Sequence, residues 1–167
     1  MIVVADTSPI TALLHLKQIH LLKELYGQVF IPSTVAAELH TLISFGYDVS
    51  FLHQEDIFII RQAADIFFVE ELSEQLDAGE AEAIALAKEL RAGLLLIDEK
   101  LGTKYAIAEG ISCKGVVGIL IEGKNKGLIP ALKPLLDNLI INLKFRLSDK
   151  IYKLALEKAN EHSEHKA

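Results

Sequence analysis

Three features of the chain predict an α/β fold, with a central, mainly parallel sheet of about five short strands in a three-layer α/β/α arrangement. Short apolar runs recur at 2–5, 29–31, 57–60, 94–97 and 111–113. Helix-forming stretches separate them, so strands and helices alternate along the chain. The runs are nearly continuous in their apolar character, as expected of strands buried on both faces of a parallel sheet. The length of 167 residues suits one domain with one core.

The elements follow in order. Ile2-Val3-Val4-Ala5 reads as a buried strand closing on Asp6. Ser8-Pro9 reads as an N-cap followed by proline at the first helical position. A helical pattern then runs to Tyr26, with a break near Gln18. Val29-Phe30-Ile31 is a second strand, and Ser33 is placed to cap a helix from Thr34 to about Ser44. Residues 45–56 read as a loop or a short extra helix. Ile57 to Ile60 is a third strand, and 63–76 is helical. Residues 80–91 are strong helix formers after the Asp77-Ala78-Gly79 turn, and Gly93 ends that helix. Leu94 to Asp98 is a fourth strand, again closing on an acid. A helix reaches Glu109, Ile111-Ser112-Cys113 is a fifth strand, and helices at 116–123, 129–141 and 149–160 complete the chain. Apolar residues of 129–156, such as Leu132, Leu135, Leu136, Leu139, Ile140 and Leu143, are expected to pack on the core or on a second subunit, the core for most of them. A single domain is thus expected over 1–160, with 161–167 as a frayed tail.

Composition narrows the function. Apolar residues make up 51% and charged residues 24%, a globular balance. The net charge of −6 argues against a polycation that coats nucleic acid. The charge is uneven, however. Residues 1–123 are acidic on balance and 124–167 basic, which reads either as a solvated lysine-rich end or as a basic segment beside an acidic site. One cysteine, Cys113, excludes an intrachain disulfide and a cysteine-based zinc cluster, and it fits a reducing, cytoplasmic setting. No apolar run reaches 18 residues, so no membrane span is expected, and the start lacks a secretory pattern.

The chemistry sits in the acids. Asp6 and Asp98 both end strands, and ligand sites of open parallel sheets lie beyond the carboxyl ends of the strands. If their strands are neighbours, the two carboxylates need a cation or a proton between them. Oxygen ligands of this kind suit Mg²⁺ or Mn²⁺. Glu38, among small and apolar helical residues, points into a cleft or lies on a solvated stripe. Glu80 and Glu82 open the helix after Gly79, where the helix dipole alone also favours acids. The chain holds no G-x-x-x-x-G-K-[ST] loop, no G-x-G-x-x-G loop and no G-x-S-x-G elbow. The histidines lack metal-ligand spacing.

Taken together, Asp6-Thr7-Ser8, Ile31-Pro32-Ser33 with Glu38, Leu76-Asp77-Ala78-Gly79-Glu80-Ala81-Glu82-Ala83 and Leu96-Ile97-Asp98-Glu99-Lys100 resemble a PIN domain. More narrowly the chain resembles the DUF3368 branch, related to VapC-type toxin ribonucleases. Lys114-Gly115-Val116-Val117-Gly118-Ile119-Leu120 and Phe145-Arg146-Leu147-Ser148 extend the likeness, which covers about residues 1–155. The resemblance implies a metal-dependent endoribonuclease acting on single-stranded RNA. Its acid cluster and metal ligands would be Asp6, Glu38, Glu80 and Asp98. Ser8 would support the site, and Asp77 or Glu82 would stand in for the third acid. Lys100, Lys104 and Lys114 are candidates to guide RNA. The chain departs from the branch at Lys100 and Lys104, where arginines are more usual. Lysine keeps the charge but lacks the bidentate fork. A toxin role would imply a cognate antitoxin, and relatives of this kind are often homodimers. Two other readings remain: a PIN fold that has lost catalysis and serves as a binding or regulatory module, and a small phosphatase or nucleotide hydrolase.

Overall fold

The computed structural model describes residues 1–53 and 56–161. The strands are β1 (Val3–Ala5), β2 (Val29–Pro32), β3 (Phe58–Arg61), β4 (Leu94–Leu96) and β5 (Cys113–Lys114). Among the described residues they form one sheet in the order β3-β2-β1-β4-β5, and every neighbouring pair is parallel. The chain builds outward from β1 to β3, then returns to place β4 on the other side of β1. That reversal makes a topological switch point between β1 and β4, the place where open parallel sheets leave a crevice.

The helices are α1 (Thr7–His15), α2 (His20–Tyr26), α3 (Ser33–His40), α4 (Ile66–Leu72), α5 (Ala78–Glu89), α6 (Lys100–Ala108), α7 (Val116–Asn125), α8 (Lys133–Asn142) and α9 (Asp149–Lys158). They cover both faces. Val3, Ala5, Leu94 and Leu96 pack into one core with α1–α3 and α7–α9. Val4, Leu95 and Ile97 pack into the other with α4–α6. The period-2 alternation of side chains explains why apolar residues are needed at every strand position. Burying so much aliphatic surface, at roughly 25 cal/mol per Å² removed from water, is what holds the layers together. Leu132, Leu136 and Leu139 are fully buried in the first core, as expected.

Helix α5 is the innermost. It is buried from Gly79 through Ala87, and its alanines at 81, 83, 85 and 87 let it lie close to the sheet on one side and to α4 and α6 on the other. Its start is fixed by a capping box: the Glu80 N–H donates to Asp77 Oδ1 at 2.9 Å, and the Asp77 N–H donates to Glu80 Oε1 at 3.2 Å.

Several local expectations are sharpened or corrected. Helix α1 begins at Thr7 with Asp6 at the N-cap position, so Ser8 is not the cap and Pro9 lies in the first turn. Ser33 is the first residue of α3 rather than its cap, because its hydroxyl turns to Glu82 at 3.3 Å. Helix α3 stops at His40 and continues as a 3₁₀ turn, Thr41–Phe45, ended by Gly46 at φ +89°. Residues 45–56 contain a 3₁₀ turn at Ser50–His53. The break near Gln18 occurs where Lys17 takes φ +60° and separates α1 from α2. Strand β5 lies two residues later than expected, because Cys113 and Lys114 are the residues in register with Leu95 and Leu96. Of the expected frayed tail, 161–167, residues 162–167 lie outside the described residues. Its first member, Glu161, is instead anchored: its carboxylate accepts the Leu132 and Lys133 N–H groups and pairs with Lys124. No helix among the described residues is long and apolar enough to cross a membrane.

Candidate active site

The strand pairing settles the question raised by the two aspartates. Strands β1 and β4 are adjacent, with Ala5 opposite Leu96, and the Asp6 N–H donates to the Leu96 carbonyl at 2.9 Å. Asp6 therefore leaves the sheet at the switch point, at the start of α1. Asp98 leaves it two residues past the end of β4.

Asp6 is only 2% exposed. Its side chain makes no capping bond to α1. Burial pushes its carboxyl up to about 7. The Thr7 backbone N–H opposes this, while Glu80, Asp77 and Glu38 add to it. Three further acids thus face one buried carboxyl.

Glu38 comes from α3, where Thr7 Oγ1 donates to its Oε2 at 2.6 Å. Its other oxygen lies against the backbone of α5: a Cβ at Gly79 would stand 2.5 Å from Glu38 Oε1. Glycine at 79 is what allows α3 to bring this acid in. Glu80 is buried, and its Oε1 closes the capping box. Its carboxyl is raised by burial and by Asp77 and Glu99, against the pull of the Asp77 N–H. Asp77 itself is exposed and serves as the cap of α5.

Asp98 is held differently. Both its oxygens lie 3.2 Å from the Val116 N–H, at the N-terminus of α7. A Cβ at Gly115 would collide with Asp98 Oδ1, so the glycine allows this approach. Burial raises the Asp98 carboxyl to about 6, Val116 opposes this, and Glu99 adds to it. Glu38, Asp77 and Glu80 thus act on Asp6, while Asp98 is drawn toward α7 with Glu99 as its acidic neighbour.

Glu82 does not join this group. It is 4% exposed, and its carboxylate accepts from the Thr34 N–H, Thr34 Oγ1 and the Ala63 N–H at 3.0, 2.6 and 2.8 Å. These bonds outweigh its burial and lower its pKa. Its oxygens are spent on tying α5 to α3 and to the loop after β3, so a stand-in role for the third acid does not fit this geometry.

The supporting residues divide in the same way. Ser8 Oγ reaches Glu99 Oε1 at 3.5 Å. Lys100 and Lys104 lie one turn apart on the exposed side of α6. Lys114 is committed elsewhere: its ammonium pairs with Glu122 at 2.7 Å and lies over the Tyr26 ring. Lys114, expected to guide RNA, is thus placed in an ion pair with Glu122. Two participants escaped the sequence reading, Thr7 and Glu99. Both directly follow the aspartates that end strands, which is the signal that points to them.

The donor set is all carboxylate oxygen, the hard chemistry that suits Mg²⁺ or Mn²⁺. A buried carboxyl faced by other carboxyls is the arrangement a divalent cation relieves. Among the described residues no three acids are already drawn together tightly enough to grip an ion. Each has turned to a nearby donor instead: Glu38 to Thr7, Glu80 to Asp77 and Asp98 to Val116.

A family model described as DUF3368: PIN domain matches residues 2–161. Among solved structures the fold is similar to a PilT N-terminus domain protein from the hyperthermophilic archaeon Sulfolobus solfataricus P2. The identity is 21% and the TM-score 0.54, over 73% of this chain and 92% of that one, a likeness of fold. No curated protein matches the chain.

Proposed function

The chain belongs to the PIN-domain family, a family of nuclease fold, and from that premise we propose that it is a metal-dependent endoribonuclease hydrolysing phosphodiester bonds of single-stranded RNA. The observation that carries the reading is Asp6: a buried carboxyl at the switch point, raised to about 7 and faced by Glu38, Asp77 and Glu80. Structural acids are normally buried against donors, and this one is buried against acids.

Asp6, Glu38, Glu80 and Asp98 are the residues that would hold Mg²⁺ or Mn²⁺. A bound ion would supply an acidified water and charge neutralisation at the scissile phosphate. The protein's own part is positional. Thr7 fixes the Glu38 carboxylate through its hydroxyl. Asp77 fixes the first turn of α5 and with it Glu80. The Val116 N–H orients Asp98 from the N-terminus of α7. Lys100 and Lys104 supply positive charge beside a site that otherwise repels a polyanion. A recessed site of this kind favours a single strand, whose backbone can be splayed into it.

The resemblance to toxin ribonucleases supports a finer reading, in which a cognate antitoxin covers the same edge and the chain acts in the cytoplasm as a homodimer. The test is calorimetric titration with Mg²⁺ and Mn²⁺, with cleavage of a labelled single-stranded RNA on the same samples. The expected result is ion binding and ion-dependent cleavage, both lost in Asp6→Asn and Asp98→Asn. Cleavage that survives Asp6→Asn would overturn the assignment. Absence of ion binding would assign the fold to a binding or regulatory module.

A further inference from the structure

The motif around Phe145 is left unused by the acid cluster, yet the fold carries it to the site. A cavity of about 360 Å³ opens beside Asp98, at the small end of the range for ligand pockets. One wall is Ser8, Asp98 and Glu99. The other is Leu143, Lys144 and Phe145, from the non-helical segment between α8 and α9. The acids and this segment are more than forty positions apart in sequence, and packing of α8 and α9 into the first core brings them together.

The segment is built to present two kinds of group. Leu143, Phe145 and Leu147 are half-buried and pack on the core, whereas Lys144 and Arg146 between them are exposed. The Phe145 N–H donates to the Leu139 carbonyl at 3.0 Å, which anchors the backbone to the end of α8. Lys144 takes φ +55°, a conformation that lysine seldom adopts and that breaks the helix sharply at this point. The outcome is a fixed aromatic ring in the cavity wall, a lysine beside it and an arginine one residue on. An aromatic face with flanking cations is the arrangement that holds one nucleotide of a single strand, by stacking its base and pairing its phosphate. The segment also belongs to the basic end of an otherwise acidic chain.

We propose that this cavity is the subsite for the nucleotide next to the scissile phosphate, with its base stacked on Phe145 and its phosphate met by Lys144. The inference rests on the ribonuclease reading above and assigns where that substrate lies. Ser8 faces the same cavity, and its hydroxyl, held only at 3.5 Å by Glu99, is available to the nucleotide.

The test uses the full chain in the Asp6→Asn background for binding and in the native background for cleavage. The probe is a fluorescein-labelled single-stranded RNA 12-mer, read by anisotropy. Phe145→Leu keeps the apolar packing and removes the ring, and it should weaken binding about 5- to 100-fold. Phe145→Tyr should restore it. Lys144→Gln should lower the slope of log affinity against log salt by about 0.7. Near-native melting temperatures for these variants would show that folding is intact. A 12-mer with one abasic position should bind the Asp6→Asn chain more weakly, and adding Phe145→Leu should weaken that probe no further. Native cleavage together with unchanged RNA affinity in Phe145→Leu and Lys144→Gln would overturn the subsite and leave the nuclease reading standing. Absence of RNA binding by the Asp6→Asn chain together with absence of cleavage by the native chain would overturn both.

Discussion

Asp6 and Glu82 are both buried acids near the carboxyl edge of the sheet, and their surroundings are opposite. Glu82 is met by two backbone N–H groups and the hydroxyls of Ser33 and Thr34, so it stays ionised and acts as a bolt between α5, α3 and the loop after β3. Asp6 is met by three other acids and one backbone N–H, and its carboxyl is pushed up to about 7. The lesson is that burial alone does not mark a functional acid. What surrounds the buried carboxyl decides whether it holds the fold or strains it.

The comparison yields its largest effect in activity. Asp6→Asn should lower RNA cleavage by at least about 10³-fold, as expected when a metal-site ligand is lost. The same change should raise stability at neutral pH by roughly 1–4 kcal/mol, since it removes a buried charge that its neighbours repel. Glu82→Ala should do the reverse. It strands the Thr34 and Ala63 N–H donors, and denaturant titration should show a loss of about 3–5 kcal/mol with the metal ligands themselves unchanged. If both variants lose stability alike, the distinction between the two acids fails.

The pH dependence follows from the same contrast. Unfolded, Asp6 and Asp98 ionise near 3.8; folded, they keep their protons to about 7 and about 6. Between those values the folded state binds more protons. Their contribution to stability is therefore full at pH below 3.8 and is lost as pH rises through 6 to 7. Melting temperature measured from pH 5 to 8 should fall in the native chain, and the fall should be smaller in Asp6→Asn and in saturating Mg²⁺. Glu82, with its lowered pKa, opposes this trend only at acid pH.

Smaller effects sharpen the map. Gly79→Ala places a Cβ 2.5 Å from Glu38 Oε1, so it should displace that carboxylate and weaken Mn²⁺ binding about tenfold in calorimetry. Lys114→Gln should change RNA affinity less than about twofold, because Lys114 already pairs with Glu122.

Much of this was legible in the sequence because the signals were local. Strands buried on both faces announce themselves as apolar runs, and Asp6 and Asp98 stand where two of those runs stop. The capping box at Asp77 and Glu80 was half visible, since acids after a Gly-containing turn suit either a helix start or a site. Here Glu80 serves both. The roles of Glu82 and Lys114 were not legible. Their partners, Thr34 and Ala63 for one and Glu122 for the other, are set by packing between elements. The same holds for Phe145, whose place beside Asp98 depends on how the segment after α8 packs beside α1. Helix starts misled as well: Ser8 falls inside α1 because the helix already begins at Thr7, and Ser33 has the chemistry of a cap but Glu82 claims its hydroxyl.

The most direct test is the titration of the Asp6 carboxyl carbon by NMR, from pH 4 to 8, with and without Mg²⁺. A midpoint near 7 that drops sharply when Mg²⁺ is added is the result expected of a carboxyl buried among acids to receive a cation. A midpoint near 4, unmoved by Mg²⁺, would contradict the account, since Asp6 would then be no different in kind from Glu82.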